Sequence, residues 1–558
     1  PMNEVPGIRL NEAVDFGVNL PEHNDGVVLG NIMQRGIELK YNKVKLDPKV
    51  LNKHVFISGV TGSGKTTTSQ KLLIEAKMPF LVIEPAKTEY RQLYEYDKEI
   101  LFYTVGRNDL SPFRINPMEV VKGDTISSHI DLLMATFQAV YPMEASMPYI
   151  LKEAMINCYT KLGWDLESNE NEYTENAWEE DGLYWPTFSN LLSELTVVVN
   201  SKGFAKELNN NYIGSLVSRF SDLTIGTRGS IFNVPLSVNF EKIIENKVVI
   251  ELDELKNEED KILVMGFVLT RINQIIKNKH KVDPSFRHIT LIEEAHRLLT
   301  KPEPGESSKK IAVQTFTDLL AEVRKYGECL IIIDQIPNKL APEVLKNTNT
   351  KIVHKLFAED DKTAIAHSIA LDDKQKQFLS KLKVGETIIF SEGWHKPIWV
   401  KIEASSNLNP TEINESDIAT KGLEMILEDK ERYFPAFKSF ELGERQIKFL
   451  LTKKNSLVKK SVELVKIELS NEEKDEFINI INKIKDVFEE NIESVLKAIV
   501  IEIWLLKRLK YYEIKSNKRM GVFVEYLFEY FIKRYNNQEL EYGMDSANGI
   551  FLRNFNNK

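Results

Sequence analysis

The chain has 558 residues, roughly three to four domains' worth, and its 42% hydrophobic and 28% charged residues exclude a mainly disordered or fibrous protein. Lysine and arginine number 73 against 82 aspartates and glutamates. The net charge of −9 excludes a generally basic nucleic-acid coat and confines any DNA contact to a local patch. Two cysteines, Cys158 and Cys329, cannot build a disulfide framework or a cysteine-rich zinc site and fit a reducing, cytoplasmic setting.

Residues 1–50 read as short strands and turns punctuated by Gly26, Gly30 and Gly36. Residues 54–58 form an apolar run ending in glycines, and a helical stretch opens near Lys65. Further apolar runs follow at 80–83, 247–252, 288–292, 329–333, 351–353, 387–390 and 398–402. These β-branched runs do not alternate, so they read as strands buried on both faces. With helical segments between several of them, they predict an α/β fold built on a mainly parallel sheet covered by helices.

Between 126 and 240 the strand signals stop. Helices over 126–162 and 187–225 are expected there, as a helical insertion. The acidic stretch from Asp165 to Asp181 reads as a solvated surface loop. Past the break at Asn407-Leu408-Asn409-Pro410, residues 442–540 are rich in lysine and glutamate at helical spacing, which predicts a C-terminal helical domain. The run 495–509 is broken by Lys497, Glu502 and Lys507 and is too short to cross a bilayer, so no membrane attachment is expected. The expected organisation is a β-rich segment over 1–50, an α/β core over 51–125 and 241–410, an insertion over 126–240, and a helical domain over 411–558.

Gly59-Val60-Thr61-Gly62-Ser63-Gly64-Lys65-Thr66 follows a strand and opens a helix. The spacing is that of a phosphate loop. Its glycines allow a tight turn whose N–H groups converge on phosphate oxygens, and the helix presents its positive end to the same place. Lys65 reaches the β- and γ-phosphates in such a loop, Thr66 binds Mg²⁺, and Thr67 completes the nucleotide-binding set. The run 288–292 ends in Glu293-Glu294, which delivers two acids to the carboxyl edge of the sheet, where open α/β folds bind ligands. Glu293 is assigned to Mg²⁺ and Glu294 to activation of the attacking water.

Several further stretches stand in order around these motifs. They are Lys53-His54-Val55, Ile83-Glu84-Pro85-Ala86-Lys87-Thr88-Glu89-Tyr90, Asn116-Pro117, Glu293-Glu294-Ala295-His296, Arg324-Lys325-Tyr326-Gly327 and Asp334-Gln335. Over residues 50 to 405 the chain resembles the HerA/FtsK group of RecA-like P-loop ATPases, and most of all the HerA branch. The resemblance implies a polar sensor at Gln335 and an arginine, Arg324, that acts on a neighbouring subunit's nucleotide. It also implies an acid that orders the site at Glu84 and a second trans-acting group at Lys53. The chain departs from the family pattern in two places: Glu293 stands where an aspartate is usual, and Lys53 where an arginine is common. The family's N-terminal β-barrel is not visible in residues 1–50.

A ring motor also needs basic groups facing its channel. Lys309 and Lys310, in the Pro-, Gly- and Ser-rich stretch 301–310, are the first candidates for contact with DNA phosphates; Arg107 and Arg114, around Ser111-Pro112, are the second. The resemblance implies a hexameric ATPase using ATP and Mg²⁺ that translocates on double-stranded DNA without sequence specificity. It further implies a nuclease or sirtuin-like effector as partner, in antiphage defence. The alternative is an ATP-gated ring scaffold that assembles and activates such an effector without processive movement.

Overall fold

The computed structural model describes residues 14–18, 26–51, 53–143, 145–179, 182–403 and 414–452, together with isolated positions between 482 and 505. The described residues fall into two compact units. The first draws on Pro1–Tyr103, Leu132–Met143 and Phe240–Asn414; the second draws on Thr104–Asp131, Glu144–Asn239 and Glu415–Lys558.

The first unit is organised on one sheet. Its strands are β1 (Val27–Gln34), β2 (Ile37–Leu46), β3 (Val55–Ser58), β4 (Phe80–Glu84), β5 (Leu101–Thr104), β6 (Lys247–Glu251), β7 (His288–Glu293), β8 (Glu328–Asp334), β9 (Thr350–Val353), β10 (Glu386–Phe390) and β11 (Ile398–Ile402). They run in the order β2-β1-β11-β10-β9-β3-β8-β7-β4-β6-β5. The block from β9 through β3, β8, β7 and β4 to β6 is parallel. The strands β10, β11, β1 and β2 pair antiparallel. Central strands such as β3, β4 and β8 are buried at every position, because helices cover both faces of a parallel block. This is why their sequences show unbroken apolar runs rather than alternation. The main covering helices are α1 (Lys65–Ala76), α2 (Glu258–Val282) and α3 (Ser307–Val323). Asn257 caps α2 by accepting from the Glu259 amide, and three acids occupy its first turn, where the helix dipole favours them.

The second unit contains helices Met147–Lys161 and Phe188–Ser201. Asn116 organises its interior. The side-chain amide donates to the carbonyls of Pro186 (3.0 Å) and Pro235 (2.9 Å), and the side-chain oxygen accepts from the Met118 amide. The acids of the 165–179 stretch are exposed, as expected, but the stretch is not simply solvated. Trp178 packs edge-on against Trp164 and Trp185, both at 5.1 Å between ring centroids, which pins the segment to the unit.

Three local expectations are corrected. The helix expected over 126–162 is interrupted after Val140, next to Pro142, which cannot continue it. The one expected over 187–225 starts on a Thr187–Asn190 capping box and stops at Ser201, before Gly203. The loop expected over 301–310 ends at Gly305, and α3 begins at Ser307. Lys309 and Lys310 are therefore helical, with the Lys310 amide bonded to the Glu306 carbonyl at 2.9 Å. The turn-forming residues stop at Gly305, and the residues beyond it suit a helix. Of the region expected to form a C-terminal helical domain, the described part includes helices Glu415–Glu428 and Lys430–Tyr433; most of 442–540 lies outside the described residues. The two cysteines are both buried, Cys158 in helix Met147–Lys161 of the second unit and Cys329 in β8 of the first.

Candidate active site

The phosphate loop leaves the carboxyl end of β3 and enters α1. Its backbone could not carry side chains where the glycines stand. Gly59 has φ 155°, and a Cβ there would lie 2.5 Å from His354 Cβ and 2.7 Å from Ser63 Oγ. Gly62, at φ 74°, opens onto free space. That combination, tight behind and open in front, fits a cradle for phosphate oxygens. Lys65 Nζ donates to the Gly59 carbonyl (2.7 Å) and the Val60 carbonyl (3.2 Å). Burial lowers its pKa, against the opposing pull of Glu293. Thr66 Oγ1 donates to Glu89 Oε2 (2.6 Å), Thr61 Oγ1 donates to Gln335 Oε1 (2.8 Å), and Thr67 sits half-buried in the first turn of α1.

Behind the loop stands His354, a residue the sequence reading missed. Its Nδ1 lies 3.0 Å from the Ser63 carbonyl and its Nε2 3.0 Å from Thr68 Oγ1. Burial pushes its pKa down to about 3, so the imidazole is neutral: Nδ1–H donates and Nε2 accepts. It follows strand β9, which pairs parallel with β3, and only that pairing brings it to the loop.

Four adjacent strands, β8, β7, β4 and β6, end in Asp334, Glu293, Glu84 and Glu251, a row of carboxylates along the carboxyl edge. Like charges so arranged need separate means of relief. Arg91 takes Glu251 with two parallel bonds, at 2.6 and 2.7 Å. His296 serves Asp334 through both its amide (2.8 Å) and Nδ1 (2.9 Å), and that bond raises its pKa. Glu84 is fully buried and accepts from the amides of Glu89 (2.7 Å) and Tyr90 (3.4 Å). Burial and then Glu293 push its pKa well above the ordinary range, which favours the neutral acid. Glu293 accepts from the Tyr90 hydroxyl at 3.0 Å, and burial raises its pKa to about 7.

Glu294 has a left-handed backbone, φ 50°, rare for a residue with a side chain and of a kind that collects at functional sites. Its Oε1 accepts from Gln335 Nε2 (3.1 Å) and its Oε2 from Arg297 (2.7 Å); Arg297 also pairs with Glu258 at the start of α2. An unbroken polar chain thus runs Thr61–Gln335–Glu294–Arg297–Glu258. Thr66 and Glu293 suit Mg²⁺, which takes one or two protein oxygens beside the phosphates of its nucleotide. Among the described residues no group of three or more His, Cys, Asp or Glu is arranged to hold a metal by itself.

The structure therefore brings together Lys65, Thr66, Thr67, Glu84, Glu293, Glu294 and Gln335 at one edge of the sheet. It puts Lys53 and Arg324 at the opposite edge, where β3 and β8 begin. Lys53 pairs with Glu392 at 2.8 Å, and Arg324 is exposed. Between them His54, at φ 65°, links the Leu320 carbonyl (2.7 Å) and the Leu330 amide (3.0 Å). The DNA candidates differ in their surroundings. Lys310 is exposed, and Lys309 is half-buried, 3.5 Å from Glu306. Arg107 is engaged by Asp109 (2.8 Å) and Glu415 (3.4 Å). Arg114 is a correction: it is buried, donates to the Tyr433 carbonyl at 2.8 Å, and lies 5.0 and 5.4 Å from the ring centroids of Tyr433 and Phe434. Burial lowers its pKa, and its contacts with Tyr433 and Phe434 are internal, so the guanidinium is not presented at the surface to a DNA phosphate.

Residues 27–272 match the family model of the central domain of helicase HerA. The DNA double-strand break repair helicase HerA of Sulfolobus acidocaldarius is 25% identical over 408 residues, covering 72% of this chain and 73% of its own. The probable DNA double-strand break repair helicase HerA of Methanocaldococcus jannaschii is 23% identical over 406 residues, covering 68% and 76%. Among solved structures, VirB4 of Thermoanaerobacter pseudethanolicus shares the fold with a TM-score of 0.54 at 21% identity, covering 69% of this chain and 99% of that one. With a phosphate loop and paired strand-end acids on one mainly parallel sheet, the chain has the fold of RecA-like P-loop ATPases, and its match to the HerA central domain and its similarity to HerA helicases support the HerA/FtsK superfamily.

Proposed function

We propose that this chain is the subunit of a hexameric motor that hydrolyses ATP between subunits and moves along double-stranded DNA. The observation that carries the reading is the placement of Lys53 and Arg324 at the sheet edge opposite their own phosphate loop. Basic groups so placed meet the nucleotide of a second copy, not their own. DNA as the track is supported by the relatives named as DNA repair helicases. A nuclease or sirtuin-like effector, and a role in antiphage defence, follow from the family resemblance, as does the cytoplasm. No helix among the described residues is long and apolar enough to cross a membrane.

In this reading Lys65 leaves the carbonyls of Gly59 and Val60 for the β- and γ-phosphates, and Thr66 and Glu293 hold Mg²⁺. When bound, the ion supplies a positive centre that draws off charge developing on the phosphates. Glu294 accepts the proton of the attacking water. Both its oxygens are engaged by Gln335 and Arg297, so one of these partners must let go first. Glu84 and Tyr90 hold the neighbouring acids in place.

A second reading, the ATP-gated scaffold that activates an effector, is favoured by the engagement of Arg107 and Arg114 within the protein, which leaves fewer basic groups for DNA. The test replaces Lys309 and Lys310 together with alanine and measures ATPase with and without duplex DNA, alongside effector activity. The motor reading expects loss of DNA stimulation with basal ATPase and assembly intact, and a shallower salt dependence of binding. If duplex DNA never stimulates hydrolysis in the effector-bound complex, the scaffold replaces the motor.

A further inference from the structure

One aromatic side chain beside the phosphate loop has no part in the chemistry described so far. Phe357 is 62% exposed, although the backbone carrying it is fixed. The segment 354–357 leaves β9 on the same edge as the phosphate loop and is bonded to it repeatedly. The His354 amide donates to the Ser58 carbonyl (2.7 Å), and the Val60 amide donates to the Lys355 carbonyl (2.9 Å). The His354 ring bridges Ser63 and Thr68. Leu356 is buried, and its amide donates to the Leu379 carbonyl (3.2 Å). Buried His354 and Leu356 thus alternate with outward Lys355 and Phe357, and Lys355 Nζ lies 5.4 Å from the Phe357 ring centroid.

A second segment behaves likewise. The Gly385 amide donates to the Ser63 carbonyl (3.0 Å), and its neighbour Val384 is 68% exposed. Scattered exposed apolar residues are ordinary on a protein surface. Two on rigid backbone, each one or two residues from a direct bond to a phosphate loop, are not scattered. A nucleotide held by its phosphates must place its base somewhere near that loop, and a base presents a flat π-face to be covered.

We propose that Phe357 is the stacking platform for the base of the bound nucleotide, with Lys355 beside it and Val384 as a further apolar contact. This rests on the reading of the loop as an ATP site. Stacking reads ring area, not exocyclic groups, so ATP and GTP are expected to be used at lower KM than CTP and UTP.

The experiment uses the full-length chain. It compares Phe357→Ala, Phe357→Trp and the unmodified protein for ATP hydrolysis, for inhibition by inorganic tripolyphosphate with Mg²⁺, and for assembly by sedimentation. Phe357→Ala is expected to raise KM for ATP about 5- to 150-fold, the range of base–aromatic stacking, and to flatten the purine preference. It should leave kcat, tripolyphosphate inhibition and assembly unchanged, and Phe357→Trp should restore KM. An unchanged KM overturns the proposal. So does an equal loss of tripolyphosphate inhibition, which would mean the loop itself had shifted, or a loss of assembly, which would make Phe357 a contact between copies. Failure of the underlying ATPase reading looks different: the unmodified protein would then neither hydrolyse ATP nor bind tripolyphosphate.

Discussion

Glu294 combines a strained backbone with a fully engaged side chain. Its φ of 50° persists because Gln335 and Arg297 grip the carboxylate from two directions. Glu294→Gln keeps the shape and can still meet Arg297 through its amide oxygen, but it cannot take a proton. The expected outcome is ATP binding near the unmodified affinity and hydrolysis slower by about 10²- to 10⁴-fold, read by equilibrium nucleotide binding and a phosphate-release assay. Hydrolysis at the unmodified rate would remove Glu294 from the role of base. Residues like Lys65, Thr66, Glu293 and Glu294 were legible in the sequence because phosphate loops and strand-end acids are contiguous. His354 and Arg91 were not, and Tyr90 stood out only as the end of the 83–90 stretch, without its bond to Glu293. Each acts on a partner far along the chain, as Arg91 does on Glu251, 160 residues away, and only the sheet order brings them together.

At the scale of elements, the parallel block explains both what could be read and what could not. Strands buried on two faces announce themselves as apolar runs, so their places were evident. Their order was not, and the carboxylate row exists only because β8, β7, β4 and β6 are neighbours. Helix starts were harder, as α3 shows by taking in Lys309 and Lys310. Two buried histidines, one before β3 and one after β9, carry a pH dependence. His54 and His354 are buried, and burial lowers their pKa to about 4 and about 3. Both are neutral in the folded chain and bind a proton more readily once unfolded, so acid favours unfolding. The stability they contribute is present above about pH 6.5 and is lost as pH falls towards 4 and then 3, on the order of 3 kcal/mol for His54. His54→Asn tolerates the left-handed backbone. Urea titrations from pH 7.5 to 4 should show the variant weaker at neutral pH but with a shallower decline. Parallel slopes would mean His54 does not carry the dependence.

For the whole molecule, the question is whether one chain completes another. Arg324→Ala and Glu294→Gln chains should each be nearly inactive alone. If the proposed ring forms, mixed rings would hold some interfaces with both Glu294 and a neighbour's Arg324, and ATPase activity should reappear, greatest near equal proportions. Fluorescence exchange between labelled chains must show that mixed rings form. Exchange without recovery at any ratio would exclude a trans-acting Arg324. Glu392, which pairs with Lys53 at the same edge, is a carboxylate that the approaching nucleotide of a second copy would have to displace.

The placement of the two cysteines has a practical consequence. Each compact unit holds one of them, and each is enclosed. Burial, with Glu328 alongside, keeps the Cys329 thiol protonated far beyond the ordinary range, and the thiolate is the form that reacts. A thiol reagent added to the native protein therefore waits for an opening of the structure around its target. Peptide mapping of the two modified sites over time yields two separate clocks, one for the strand at the centre of the sheet and one for the helix carrying Cys158. Without introducing any label, the natural sequence allows the opening of each unit to be timed by itself, and nucleotide binding at the phosphate loop should slow the Cys329 clock.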